Sequence, residues 1–338
     1  MPKSRFFYIL VSIVVSIVLI GVLLSQIETE DIVQTFSHVD YSALWIYMTI
    51  ALLGAFLRSW RYKWLLKPYP ITWGNIILVT LVRNLFVDLF PARIGSLSYI
   101  YILNRRLDFS FEAATSTFVM AFIFDFLTLS PFLLVSIFAV GFAPSDLPLH
   151  SLFLVALLFF IILCLILWRI TQIFSLLGGA FASLSKTFKW ERRKWVRIGH
   201  EKILSTRDHL DRIKKRRILF PLFFLSLFIR LAKYGSLYFL LFSLLRGLGL
   251  TEGRISFWKT ILGTTGAELT SVFPVKGIAG FGTWETGWAL AFHLMKVDAQ
   301  LAILSGIGVH LLTNLFEYSL GIAAILILAF PLIRRKKK

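Results

Sequence analysis

The chain has 338 residues, of which 57% are apolar or aromatic and 16% charged, against about 25% charged in a typical soluble domain. That proportion excludes a soluble enzyme, which could not hide so much apolar surface, and it excludes a disordered chain on the same ground. The net charge of +18 does not point to nucleic acid either, because the cations are segregated along the chain.

Thirteen Lys/Arg lie between Lys186 and Arg217 and five more end the chain at Arg334–Lys338, while 28–40 carries four acids and no Lys or Arg. This is the positive-inside pattern of a multi-pass membrane protein. Residues 6–27 follow Lys3 and Arg5, stay apolar for over 20 residues and leave through Ser25-Gln26-Ile27, which predicts an uncleaved first span rather than a signal peptide. The acidic 28–40 loop is then external. Residues 41–66 return, with Arg58, Arg61, Lys63 and Lys67 read as an inside flank. Residues 110–141 go out to a short loop, and 149–178 come back to the basic stretch. Residues 218–246 go out again, and 299–331 return to the basic tail. All loops agree with one orientation, both termini inside, as expected of an inner (cytoplasmic) membrane protein. Cys164, alone in mid-span, leaves neither a disulfide nor a cysteine metal site, and no cofactor or metal is implied.

Two apolar stretches do not read as ordinary spans. Residues 72–107 break at Pro91–Gly95, and 255–297 break around Phe273-Pro274-Val275-Lys276-Gly277. Their arms are marginal or short for crossing ~30 Å at ~1.5 Å per residue. Both read as re-entrant helical hairpins, one dipping from each side; two full crossings at each would keep the same sidedness. The predicted fold is therefore an all-α integral membrane protein of about six full transmembrane helices plus two re-entrant hairpins, in one transmembrane domain. The order span, hairpin, span over 41–141 recurs over 218–331 with opposite starting side, which is the pattern of an inverted-topology repeat.

Irregular backbone at membrane depth is tolerated only where it is buried or lines a wet cavity. Each break carries a cation, Arg93 and Lys276, and intramembrane cations usually face a partner or a pathway. The helices after the breaks would aim free N–H groups inward, and Gly277, Gly280 and Gly282 would let backbone amides approach closely. Together these suit an anion such as a lipid phosphate. The plainer reading is that Pro and Gly only form the turns while Arg93 pairs with Asp88. Among the acids, Glu285 could cap its own helix, pair with Lys276 or couple a proton; Glu268, Asp125 and Glu317 are read as structural or coupling acids. Arg230 and Lys233 would snorkel to the cytoplasmic face. His293 and His310 receive no role.

The basic segment 179–217 has Val196, Ile203, Leu210 and Ile213 at helical spacing within 186–217. It reads as an amphipathic helix on the anionic inner surface, with a lipid-biosynthesis enzyme partner as its second use. No G-x-x-x-x-G-K-[ST] motif is present, so an energy source would be an ion gradient or none.

In order along the chain stand Arg58-Ser59-Trp60-Arg61-Tyr62-Lys63-Trp64-Leu65-Leu66, then Asn84, Pro91-Ala92-Arg93-Ile94-Gly95, and Pro274-Val275-Lys276-Gly277-Ile278-Ala279-Gly280-Phe281-Gly282-Thr283-Trp284-Glu285. From about residue 6 to 331 the chain resembles the flippase-like family related to the transmembrane region of lysylphosphatidylglycerol synthases. The resemblance implies movement of an anionic phospho- or polyprenyl-phosphate-type lipid between leaflets. It gives Arg61, Asn84, Arg93, Gly280, Gly282 and Glu285 the family's motif positions. Ser96 stands where the family often has Glu, and Asn314 and Glu317 stand where its late span often has Arg. The synthases add a soluble aminoacyltransferase domain, and this chain ends at Lys338, so only translocation is expected. Two other classes stay in view: a membrane-embedded enzyme acting on a lipid phosphate, and a non-transporting assembly factor.

Overall fold

A computed structural model describes residues 3–141, 149–246, 256–270 and 277–329, and among these every regular element is helical. In chain order the helices are α1 (Lys3–Leu24), α2 (Thr29–Ser37), α3 (Tyr41–Leu66), α4 (Trp73–Leu89), α5 (Ser98–Arg106), α6 (Phe111–Val140), α7 (Leu149–Thr187), α8 (Lys194–Lys215), α9 (Leu219–Arg246), α10 (Phe257–Thr270), α11 (Thr283–Leu294) and α12 (Ala299–Ala329). A 3-10 turn, Pro91–Leu97, joins α4 to α5, and a second, Ile278–Gly280, precedes α11. Among the described residues five helices are long and apolar enough to cross a membrane: those over 41–66, 111–140, 153–187, 219–246 and 299–329. The chain is a multi-pass membrane protein.

Helix ends follow local chemistry. Asp40 caps α3 by accepting from the amides of Ser42 and Ala43, Thr72 caps α4 through Asn75, and Ser110 caps α6 through Ala113. Gly141 ends α6 in the left-handed conformation. The broken stretches behave differently from the spans: α4 and α5 have 17 and 9 residues, α10 and α11 have 14 and 12. All four fall below the ~20 residues a full crossing needs. The first break lies where Pro91 and Gly95 stand. A Cβ at Gly95 would collide with the backbone of Phe86, so only glycine lets the turn fold back onto α4.

The centre is built on the long contact of α3 with α9. Small residues allow it: a Cβ at Gly54 would sit 3.5 Å from that of Ala232, and one at Gly235 would sit 4.0 Å from Ile50. Around this pair, α4 packs on α12 and α10 on α6, while α3 touches α6 as α9 touches α12. One apolar cluster gathers Tyr62, Tyr99, Ile76 and Phe124 with α7 and α8; a second gathers Trp288, Phe292, Leu244 and Val309 around α9, α11 and α12.

Three local expectations need correction. The 149–178 span runs on to Thr187, because Gly178 lets α8 pack against it, with Leu204 3.1 Å from where a Cβ would be. The amphipathic helix α8 does not offer its apolar face to lipid. Val196, Leu210 and Ile213 are buried against α6 and α7, Lys202 pairs with Glu112, and Arg216 donates to carbonyls of Trp64 and Lys67 at 2.7 Å. The acidic segment 28–40, expected as a loop, contains the short helix α2, which packs on α9 and α12.

Candidate functional site

Between the two clusters lies a cavity of about 200 Å³, walled by α3, α4, α6, α9, α10, α11 and α12. Its lining is polar for a membrane interior: Arg58, Arg83, Arg230 and Lys233 face it, as do Asp88, Asp125, Glu268 and Glu317. Charges at such depth are held by partners or face a water-filled path.

Two of the four cations are paired. Lys233 forms an ion pair with Glu268, and Arg230 reaches the same carboxylate at 3.9 Å and also donates to the Asp125 carbonyl. Arg230 and Lys233 therefore do not snorkel; the i, i+3 spacing aims both at α10 rather than at the cytoplasmic face. Asp125 is neutralised from behind the wall by Arg61, 2.8 Å away, which also donates to Ser226 at 3.0 Å.

Arg58 and Arg83 are held differently. Arg58 donates to Asn84 Oδ1 at 2.7 Å and Arg83 reaches the same oxygen at 3.5 Å. Among the described residues neither guanidinium forms an ion pair with a carboxylate. Nearby, Asn314 Nδ2, Thr264 Oγ1 and Arg83 Nε are buried with no hydrogen-bond partner among the described residues. The residues carrying these groups all line the same cavity. Buried polar groups are nearly always satisfied, and a cluster of unmet donors marks a place for an acceptor. Planar guanidinium forks suit phosphate oxygens in particular. Chemically, the cavity can hold an oxyanion against the Arg58–Arg83 wall.

The sequence candidates fall into separate groups. Asn84, Asp125, Glu268 and Glu317 line the cavity. Arg61 does not: its side chain is 0% exposed, sealed behind Asp125, so neither Arg61 nor Arg58 is the inside flank read from the sequence. Arg93 belongs by its backbone to the first 3-10 turn, its side chain lies outside the described residues, and so does the whole of Lys276.

The glycines and Glu285 form the second turn's internal structure. The Gly280 amide donates to the Gly277 carbonyl at 2.9 Å, and the Gly282 amide donates to Glu285 Oε2 at 2.8 Å. Ser16 of α1 accepts the Ile278 amide at 2.7 Å and donates to the Phe281 carbonyl. Gly282 has φ +85°, and a Cβ there would lie 2.8 Å from that of Leu19. The positive end of α11, expected to meet an anion, is therefore filled by the helix's own Glu285 and covered by α1.

His310, given no role from the sequence, is a wall residue. Its ring stacks on Trp284 at 4.7 Å, and both line the cavity. Arg58, read from the sequence only as a flank, and Arg83 are also missed; for Arg83 a cation in the middle of an apolar arm was the available signal.

A sequence profile of the lysylphosphatidylglycerol synthase TM region matches residues 9–336. The chain belongs to that family. No curated protein matches the sequence significantly. The family match spans α3 to α12 and both breaks, so the cavity lies wholly within the matched region.

Proposed function

We propose that this chain is a lipid translocase of the inner (cytoplasmic) membrane, moving an anionic phospholipid or polyprenyl-phosphate-type lipid between leaflets, without chemistry on the lipid. Membership of a family that forms the membrane part of enzymes named for a phosphatidylglycerol product supports a lipid as cargo. The observation that carries the reading is the wall of Arg58 and Arg83, two guanidiniums sharing one amide oxygen, faced by the unmet donors of Asn314 and Thr264. The headgroup sits there, not on the Gly280 and Gly282 amides, which are bonded to the Gly277 carbonyl and to Glu285. The paired contacts of α4 on α12 and α10 on α6 support reading 41–141 and 218–331 as inverted repeats about the α3–α9 axis. In that arrangement the four short helices are re-entrant and both termini are cytoplasmic. α8 remains the surface to which a lipid-biosynthesis enzyme would bind, through its charged face.

A reconstituted-liposome assay tests this, following leaflet exchange of fluorescent phosphatidylglycerol beside phosphatidylcholine. The wild-type protein exchanges the anionic lipid, and the Arg58→Ala/Arg83→Ala double variant loses most of that exchange while remaining folded. Exchange that survives in the double variant rules out this wall as the headgroup site. Hydrolysis or group transfer on the lipid by purified protein would instead favour a membrane-embedded enzyme.

A further inference from the structure

A second cavity, of about 420 Å³, lies on a different face of α4 from the polar one. Asn84, Val87 and Asp88 turn to the polar cavity, while Val82, Phe86 and Phe90 turn to this one. At about 100° per residue the two sets lie on separate sides of the helix. The remaining walls are Ile94 of the first 3-10 turn, Tyr101 of α5, and Ile325 and Leu328 near the end of α12. Ile94 is 57% and Tyr101 65% exposed, so the groove opens sideways between helices rather than into the protein.

The groove carries three side chains with polar groups, Ser98, Tyr101 and Arg106, all on α5. Arg106, the last residue of α5, stands at the rim, and Ser98 lies within, its hydroxyl buried and without a hydrogen-bond partner among the described residues. A purely hydrocarbon surface such as a second copy's apolar face would leave the Ser98 hydroxyl unmet and the Arg106 charge unused. A lipid with an acyl ester meets both, since the ester carbonyl accepts from a hydroxyl and the phosphate accepts from a guanidinium. Long lipid chains match the apolar walls, and the opening faces the direction from which bilayer lipid arrives.

We propose that this groove binds one acyl chain of an anionic phospholipid, with Arg106 holding the phosphate at the cytoplasmic rim. The inference rests on the membrane orientation adopted above, in which α5 ends on the cytoplasmic side, but not on the Arg58–Arg83 wall. The groove is then where cargo waits in the inner leaflet, separated from the polar cavity by the thickness of α4.

The test is lipid retention by the full chain in mild detergent, read by native mass spectrometry with phosphatidylglycerol and with diacylglycerol of the same chains. Ala329→Trp fills the groove from an exposed position at the end of α12, where the fold does not depend on the side chain. Arg106→Gln removes the rim charge. Phosphatidylglycerol retention falls about tenfold in both variants, as expected for loss of a charge-assisted contact or of the chain site, while Arg106→Gln leaves diacylglycerol retention unchanged. Retention unaltered by Ala329→Trp overturns the proposal, as does wild-type protein that holds both lipids equally, which would be annular lipid only. Arg83→Ala separates the two readings: loss there with none in Ala329→Trp defeats the groove and keeps the polar wall. The reverse pattern keeps the groove and defeats the wall.

Discussion

The Glu285 carboxylate lies 2.6 Å from the Nδ1 of His310, and its second oxygen accepts the Gly282 amide at 2.8 Å. One side chain, 1% exposed, thereby joins the start of α11 to the middle of α12 and orients a ring that faces the polar cavity. An acid so fully used is a positioning group for the wall.

Glu285→Ala leaves the Gly282 amide and one His310 nitrogen buried without their acceptor. Losing a buried partner costs about 1–3 kcal/mol for the group left unsatisfied. Thermal unfolding in detergent reads this as a lowered Tm, and Glu285→Gln, which still accepts from Gly282, falls between wild type and Ala. Equal Tm values for Ala and wild type would remove Glu285 from the framework.

The pair Arg61–Asp125 gives a second test of structure against function. Arg61 is sealed from the cavity, so its removal acts through the uncompensated Asp125 carboxylate. Breaking a buried ion pair by deleting one partner costs about 3–5 kcal/mol, while replacing both partners with apolar residues is often near neutral. Arg61→Met is therefore strongly destabilised, and Arg61→Met/Asp125→Leu recovers a large part of the loss in the same unfolding assay. A double variant as unstable as the sum of both singles would mean that the two side chains act independently.

What the sequence made legible were features written locally. The ends of α3, α6, α9 and α12, and both breaks, follow from apolar runs, Pro91, and the glycines near 277–282. What it hid was direction. The positive-inside rule counts a cation without saying which way it points, so Arg58, Arg61, Arg230 and Lys233 read as flanks or snorkels. Three residues of helix place Arg58 and Arg61 about 60° apart, enough to put one in the cavity and the other behind its wall. The glycine cluster resembled an anion nest because nothing local to it reveals that α1 arrives from over 250 residues away, with Ser16 bonded to Ile278 and Phe281. Ser12 and Ser16 within an apolar span were the available hint.

At the N-terminal end of α3, Asp40 accepts the amides of Ala43 and Ser42 and pairs with Arg246 at 2.6 Å. Its carboxyl is held below the ordinary range, chiefly by the Ala43 amide, against partial desolvation, with the Ser42 amide and Arg246 adding to the effect. A depressed carboxyl stabilises the fold fully above its unfolded value, about 3.9, and loses that contribution as pH falls through the folded value. The Tm difference between wild type and Asp40→Asn is therefore constant from pH 7 to about pH 5 and shrinks below about pH 4. A difference that persists unchanged at pH 3 would mean that the ionised cap contributes nothing there.

Asn84 supplies the sharpest contrast between stability and function. As a neutral amide it accepts from Arg58 and Arg83 while leaving both of their charges uncancelled. Asn84→Asp places a carboxylate of nearly the same shape between them, turning a guanidinium–amide hydrogen bond at 2.7 Å into a guanidinium–carboxylate ion pair. Two guanidiniums attract a carboxylate more strongly than an amide dipole, so the variant unfolds at higher temperature than wild type. The same carboxylate occupies the guanidinium forks and repels an incoming phosphate, so exchange of fluorescent phosphatidylglycerol falls about tenfold or more. Stability up with exchange down is the signature of a wall left electrostatically unfinished until a ligand arrives. Exchange preserved in a stabilised Asn84→Asp protein would show that Arg58 and Arg83 do not receive the headgroup.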